Sequence, residues 1–264
     1  MNWAGWDAPD KDATAGVRSA LLPAGAVIGF FALWELIVQL GWVRPLFISS
    51  PTRIWQAAVW LSSHGLWYDL FVSSAEFLIG VGLAMIVGLL LGIALGWYPS
   101  LSAVFDPFIS ALYSTPRVAF LPLLILWLGI GLASKVAVVF LGAVFPILVS
   151  TMAGVRAVDD ELVTAARTFG ASDRQIFQTL ALPSSVPFII AGLQLGVGRG
   201  LVGVVVGEFL ASQAGIGHMM NVAAATFQTD KTFVGILILA VSGSLMSGGL
   251  KRLEHRFDRW RPSR

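Results

Sequence analysis

Of the chain's 264 residues, 56% are hydrophobic and 12% charged, with a net charge of +2 and no cysteine. A soluble domain carries about 25% charged residues, so this deficit and the long apolar runs exclude an ordinary water-soluble domain and put the chain in a bilayer. The missing cysteine excludes disulfides and thiolate-held metals, and so small a net charge gives no reason to expect a nucleic-acid partner.

In chain order, residues 1–19 read as an N-terminal tail, polar and acidic at Asp7, Asp10 and Asp12. It lacks the basic start and cleavage site of a signal peptide, so it is expected to be retained and disordered. Residues 20–250 read as one transmembrane domain with six spans, followed by a basic tail at 251–264. Span 1 covers about residues 20–40, with Trp34 and Trp42 suited to an interfacial belt and Glu35 close enough to the end to reach headgroups. Residues 50–63 then form an amphipathic helix opened by Ser50 and Pro51, offering Ile54, Trp55, Ala58, Val59 and Leu61 to the membrane surface.

Span 2 covers about residues 71–97, where Gly88, Gly92 and Gly96 make one smooth stripe for close helix packing. Span 3, about 108–130, is interrupted by Pro116 and Pro122 and preceded by Pro107. Broken helices survive in bilayers only where protein or water covers the freed backbone groups. It is therefore either a pathway element or a kinked packing helix. Span 4 covers about 136–152, span 5 about 187–209 with a second glycine ladder (Gly192, Gly196, Gly200), and span 6 about 233–250.

Between spans 4 and 5 lies the chain's one long polar segment, TAARTFGASDRQIFQTLALP at residues 164–183. Asp159 and Asp160 can cap the helix that leads into it, and Gly170 suits a left-handed residue that closes that helix. Ser172 and Gln175 make a capping box for a second short helix, which Pro183 is expected to stop. The lysines and arginines orient the whole. With a cytoplasmic N-terminus, Lys11, Arg18, Arg117, Arg156, Arg167, Arg174, Lys251, Arg252, Arg256, Arg259, Arg261 and Arg264 fall inside. Arg44, Arg53, Lys135 and Lys231 fall outside, and Arg199 lies within span 5. Both termini and the polar segment are then cytoplasmic.

Catalytic signatures are missing. There is no phosphate loop ending in Gly-Lys-Ser/Thr, no His-Glu-x-x-His and no Gly-x-Ser-x-Gly, and His64, His218 and His255 are far apart. The chain does not read as an enzyme or a metal protein. A transporter driven by nucleotide would have to borrow its ATPase.

The polar segment resembles the EAA loop of bacterial ABC importer permeases: Glu-Ala-Ala, three residues, Gly, nine residues, Ile/Leu, one residue, Leu-Pro. Ala165, Ala166, Gly170, Leu180, Leu182 and Pro183 hold the matching positions, and Thr164 stands where the family usually has Glu. Glu161, one turn earlier, is a candidate to replace that polar contact. Residues 114–131, the stretch SKVAVVFLGAVFPILVSTMAGV after them, residues 204–220 and FQTD at 227–230 are similar to the nitrate, sulfonate and taurine importer permeases.

The resemblance implies an all-α, polytopic type I (MetI-like) importer fold in the bacterial inner membrane. It also implies a cytoplasmic coupling loop at about 156–186, two permease copies, an ABC ATPase dimer that uses ATP and magnesium, and a periplasmic solute-binding protein. No cofactor is expected on this chain. The competing reading of the residues is a six-span passive channel or secondary transporter without ATP coupling.

Arg199 and Gln194 are candidates for the translocation path. A charge at the bilayer centre costs about 2.5–3.5 kcal/mol even on lenient scales, so Arg199 should face protein or water. Two readings stay open: it attracts an anionic solute, or it holds helices together through backbone contacts or an internal ion pair, with Glu208 or Glu76 as partners. Glu208 is expected to orient the loop at 211–217, and His218 to sit in an outer loop.

Overall fold

The computed structural model describes residues 12–257 and, within them, is built of helices alone. Helix α1 (Asp12–Gln39) starts earlier than expected, so the part of the tail expected to be disordered that can be described is helical. The remaining tail residues lie outside the described residues. A four-residue turn α2 (Pro45–Ile48) leads to α3 (Pro51–Ser63), opened as expected by Pro51 and by Ser50, whose hydroxyl accepts from Arg53 N at 3.4 Å. There follow α4 (Leu66–Trp97), α5 (Pro99–Ser114), a 3-10 turn at Arg117–Phe120 and α6 (Leu121–Leu128). The second half holds α7 (Leu132–Arg156), α8 (Asp160–Thr168), α9 (Asp173–Ile176), a π turn at Phe177–Ala181, α10 (Leu182–Ala211), α11 (Ile216–Ala225) and α12 (Thr229–Phe257).

Among the described residues, four helices are long and apolar enough to cross a membrane: α4, α7, the run Asp173–Ala211 and α12. A fifth crossing is the pair α5 and Arg117–Leu128, bent by 91°. The sixth span expected, in α1, is represented by a shorter apolar stretch at Gly25–Gln39. The bend has a local cause. Pro116 restricts Thr115, which sits at φ −73°, ψ 133°, and the helix cannot pass through that extended residue.

Helix α7 is the axis of the core, packed along most of its length between α4 and α10. The glycine stripes make this possible. A Cβ added at Gly92 would lie 2.6 Å from Thr151 Cβ and 2.8 Å from Leu148 O. Ile147, fully buried, fills the gap on both sides, 3.0 Å from a Cβ at Gly88 and 2.8 Å from one at Gly196. Without a hydrophobic drive between helices in lipid, such close backbone approach supplies the packing energy. The two ladders are helix-packing surfaces.

A second cluster joins α3 to α11 and α12 through Ile54, Ala57, Leu61, Ile216, Met220 and Val234. This corrects the expectation that α3 offers its whole apolar face to lipid: Ile54 and Leu61 are buried against protein, while Trp55 and Val59 stay exposed. Helix α5 is the opposite case, with Ser102 its sole buried residue.

Candidate functional site

The polar segment folds as read from its caps. The Asp159 carboxylate accepts from Glu161 N at 2.8 Å and opens α8. Gly170 closes it at φ +81°, with Ala171 N donating to Ala166 O at 3.0 Å and Gly170 N to Arg167 O at 2.9 Å. Those two bonds are the 6→1 and 5→2 pair of a Schellman motif. Ser172 then caps α9: its N–H donates to Gln175 Oε1 at 2.8 Å, and its hydroxyl accepts from Gln175 N at 3.4 Å.

Pro183 departs from expectation. It does not stop the second helix; α9, the π turn and α10 run on as one helical rod, Asp173–Ala211. Proline removes one donor and crowds the carbonyl four residues back. The wide π turn at Phe177–Ala181, where Leu182 N reaches Phe177 O, lets the chain pass without breaking.

The hairpin is buried at its root and open at its tip. Ile176 and Ala181 are buried, and Phe177 meets Trp97 of α4 edge-to-face with ring centroids 5.1 Å apart. At the tip, Thr164, Ala165 and Gly170 are exposed and Ala166 half-buried; at the base, Leu180 is half-buried and Leu182 exposed. Glu161 is also exposed. Phe169 stands 92% exposed beside Gly170, and Leu162 is 55% exposed. The spacing of the segment gives no role to Phe169; its signal in the sequence is an aromatic residue directly before the helix-closing glycine. Arg167 and Asp173 pair across the turn at 3.2 Å, but both are too exposed for the pair to matter much to stability. Arg156, last in α7, ties the same end together by donating to Ser102 Oγ and, at 3.3 Å, to Leu95 O.

At the opposite end lies a buried polar knot that sequence reading only half anticipated. Lys135, expected on the outer side, is 6% exposed in the first turn of α7, paired with the fully buried Glu76 of α4. Its ammonium also donates to Ser212 Oγ at 2.9 Å. Glu208 orients the loop at 211–217, as expected: it accepts from Gly217 N at 2.5 Å and from Ser73 Oγ at 2.6 Å. Ser73 Oγ in turn accepts from Ile216 N, and Asp69 Oδ1 from Gly215 N, both at 2.8 Å. His218 is half-buried in α11 rather than in a loop.

Neither Glu76 nor Glu208 reaches Arg199. Among the described residues Arg199 has no hydrogen bond or ion pair, and its side chain lies on an exposed face of α10. Gln194 donates instead to Glu254 of α12 at 3.1 Å. Arg117 is not in a cytoplasmic loop; it sits at the bend between α5 and α6, with its guanidinium 5.9 Å from the Phe145 ring, near the middle of α7. No group of three His, Asp or Glu side chains among the described residues could hold a metal ion.

Residues 80–259 match the family described as "binding-protein-dependent transport system inner membrane component". The chain belongs to that family. It is 30% identical over 249 residues to the taurine transport system permease protein TauC of Escherichia coli (strain K12), covering 92% of this chain and 90% of the relative. It is 33% identical over 260 residues to the putative aliphatic sulfonates transport permease protein SsuC of Bacillus subtilis (strain 168), covering 97% and 91%. Among solved structures, inward-facing MetNI methionine ABC transporter matches with a TM-score of 0.63, covering 75% of this chain and 96% of that one at 18% identity. That likeness shows the fold, a type I ABC importer permease. The chain is thus a multi-pass, non-enzymatic membrane subunit of a binding-protein-dependent transport system.

Proposed function

We propose that this permease is the inner-membrane subunit of an ATP-driven importer for a small organic or inorganic anion, assembled as two copies with two ATPase subunits and a solute-binding protein. The observation that carries the reading is the hairpin: a capped, solvent-exposed tip on a root buried between the core helices. An ATPase subunit gripping Thr164, Ala165, Ala166, Gly170 and Phe169, with Leu180, Leu182 and Pro183 at the base, would move α7 and α10 together, because those two helices are packed along their lengths. Closing the ATPases on ATP would then bias the permease between two arrangements, as differential contact with two states requires. The charge distribution favours the hairpin end as cytoplasmic.

The second copy has a specific reason. Helix α5 leaves Val104, Phe108 and Leu112 exposed, and the same protomer leaves Arg199 exposed near mid-membrane depth. A guanidinium facing lipid there is costly, so a partner permease enclosing a wet path supplies the missing cover. Taurine and aliphatic sulfonates, named for the relatives, support an anionic solute, with selection resting chiefly on the binding protein.

Replacing Gly170 by Asp tests the coupling assignment. The left-handed backbone costs a side chain about 1 kcal/mol, and the new carboxylate would stand on the docking face. The variant should reach the membrane at normal abundance and lose ATP-dependent uptake. Normal uptake would sink the assignment.

A further inference from the structure

Three facts about the middle of the membrane belong together. The backbone of Arg199 presses on α7 where it has no side chain: a Cβ at Gly142 would lie 3.1 Å from Arg199 O. Three residues on, the same helix presents Phe145, and the Arg117 guanidinium lies 5.9 Å from that ring and 5.3 Å from the ring of Tyr113. Gly142 and Phe145 are one helical turn apart, so the backbone of Arg199 and the guanidinium of Arg117 meet the same stretch of α7. They come from the bend of the broken span and from α10, so the pairing is made by the fold and not by local sequence.

Like charges on one stretch of helix repel, and among the described residues neither arginine forms an ion pair. Glu76 and Glu208 are spent on Lys135, Ser73 and Gly217 at the far end, and Glu254 accepts from Gln194. Arg117 satisfies one nitrogen by donating to Tyr113 O at 3.1 Å, while its Nε is buried without a partner. Tyr113 and Phe145, with ring centroids 6.5 Å apart, wall one side and hold the Arg117 guanidinium through cation–π contact. What the arrangement lacks is a negative charge of small size.

We propose that Arg117 and Arg199 form a mid-membrane station for the head of a single small oxyanion, a sulfonate or carboxylate, whose short tail rests against Tyr113 and Phe145. Guanidinium forks match such planar or tetrahedral oxygens, and two of them offset the desolvation that an anion meets inside the bilayer. The inference rests on the importer reading above, since it needs Arg199 to face the path, and it deepens that reading by adding Arg117 and naming the head group.

The natural absence of cysteine from the permease allows a test that does not depend on uptake. In the assembled, nucleotide-free complex in detergent, Arg199→Cys is reacted with methanethiosulfonate reagents, one bearing a sulfonate and one a trimethylammonium, and modification is followed by the mass of the permease chain. Relative to a free thiol, Arg117 should favour the sulfonate reagent by about tenfold, the scale of one unit charge at a few ångströms in a partly wet site. Adding Arg117→Gln should erase that bias, and Arg117→Lys should keep it. The reciprocal pair, Arg117→Cys with Arg199 intact or changed to Gln, gives the same reading if the first variant assembles poorly. Equal rates for the two reagents, or a bias indifferent to the second arginine, would overturn the station. So would failure of both reagents to reach position 199, which would turn that face to lipid or packed protein. Loss of ATP coupling, read separately by Gly170→Asp, leaves this chemistry untouched, so the two ideas fail independently.

Discussion

The two ends of the helix bundle are both polar and use their polarity in opposite ways. At the far end, Glu76, Lys135, Glu208 and Ser73, all buried, and the half-buried Asp69 and Ser212 spend themselves on each other and on the backbone of residues 214–217. At the hairpin end, side chains such as Asp159, Ser172 and Gln175 satisfy only their own helix starts, and the tip is left uncovered. Groups that are satisfied internally fix a shape; a preformed shape left open invites a partner. The difference should appear as opposite responses to mutation, large in stability at one end and large in assembly at the other.

The strongest test is Lys135→Met. It removes the ammonium and leaves Glu76 buried without its charge partner, which costs about 3–5 kcal/mol when one member of such a pair is deleted. Thermal unfolding in detergent, followed by tryptophan fluorescence, should show a clear drop in midpoint. Adding Glu76→Gln should restore part of it. If Lys135→Met is as stable as the parent, the far end is not the clamp described.

Next comes the core that joins the ends. Gly92→Val would drive a side chain into Thr151 and Leu148, an overpacking worth about 1–3 kcal/mol, whereas Gly82→Ala, with nothing within 4 Å, should change stability by less than about 0.5 kcal/mol. Equal effects would mean that the glycine stripe does not set the approach of α4 to α7. A smaller change belongs to the hairpin itself. Ser172→Ala removes the capping box at a cost of about 1 kcal/mol, so the amides of α9 should exchange with deuterium about fivefold faster while the global midpoint stays put.

The contrast between ends also explains what was legible in the sequence. Caps, the left-handed Gly170 and the glycine stripes are written in residues three to five positions apart, and each came out as read. Pro183 was read as a stop because its local chemistry forbids a regular helix; the π turn before it is a solution that local rules do not anticipate. The burial of Lys135 and the position of Arg117 escape charge counting for a shared reason. Counting charges assigns depth from position along the chain, but the depth of Lys135 is set by Glu76 on another helix, and that of Arg117 by the turn at Thr115 and Pro116. The role proposed for the hairpin comes from the family resemblance. The exposed Phe169, and the approach of Arg117 and Arg199 to the same stretch of α7, needed three dimensions.

The last prediction separates shape from docking. Phe169 is 92% exposed and holds nothing in place within the protomer, so Phe169→Ala should shift the unfolding midpoint by no more than surface substitutions do, under about 0.5 kcal/mol. An exposed aromatic on a rigid projection is nevertheless the kind of residue that anchors an interface, where truncation costs about 2 kcal/mol or more. Affinity for the ATPase subunit, measured by titration of the detergent-purified permease, should therefore fall about thirtyfold with stability unchanged. A variant that docks normally would move the grip elsewhere on the hairpin, whereas one that unfolds would mean that the tip is held by contacts within the permease and is not an open surface at all.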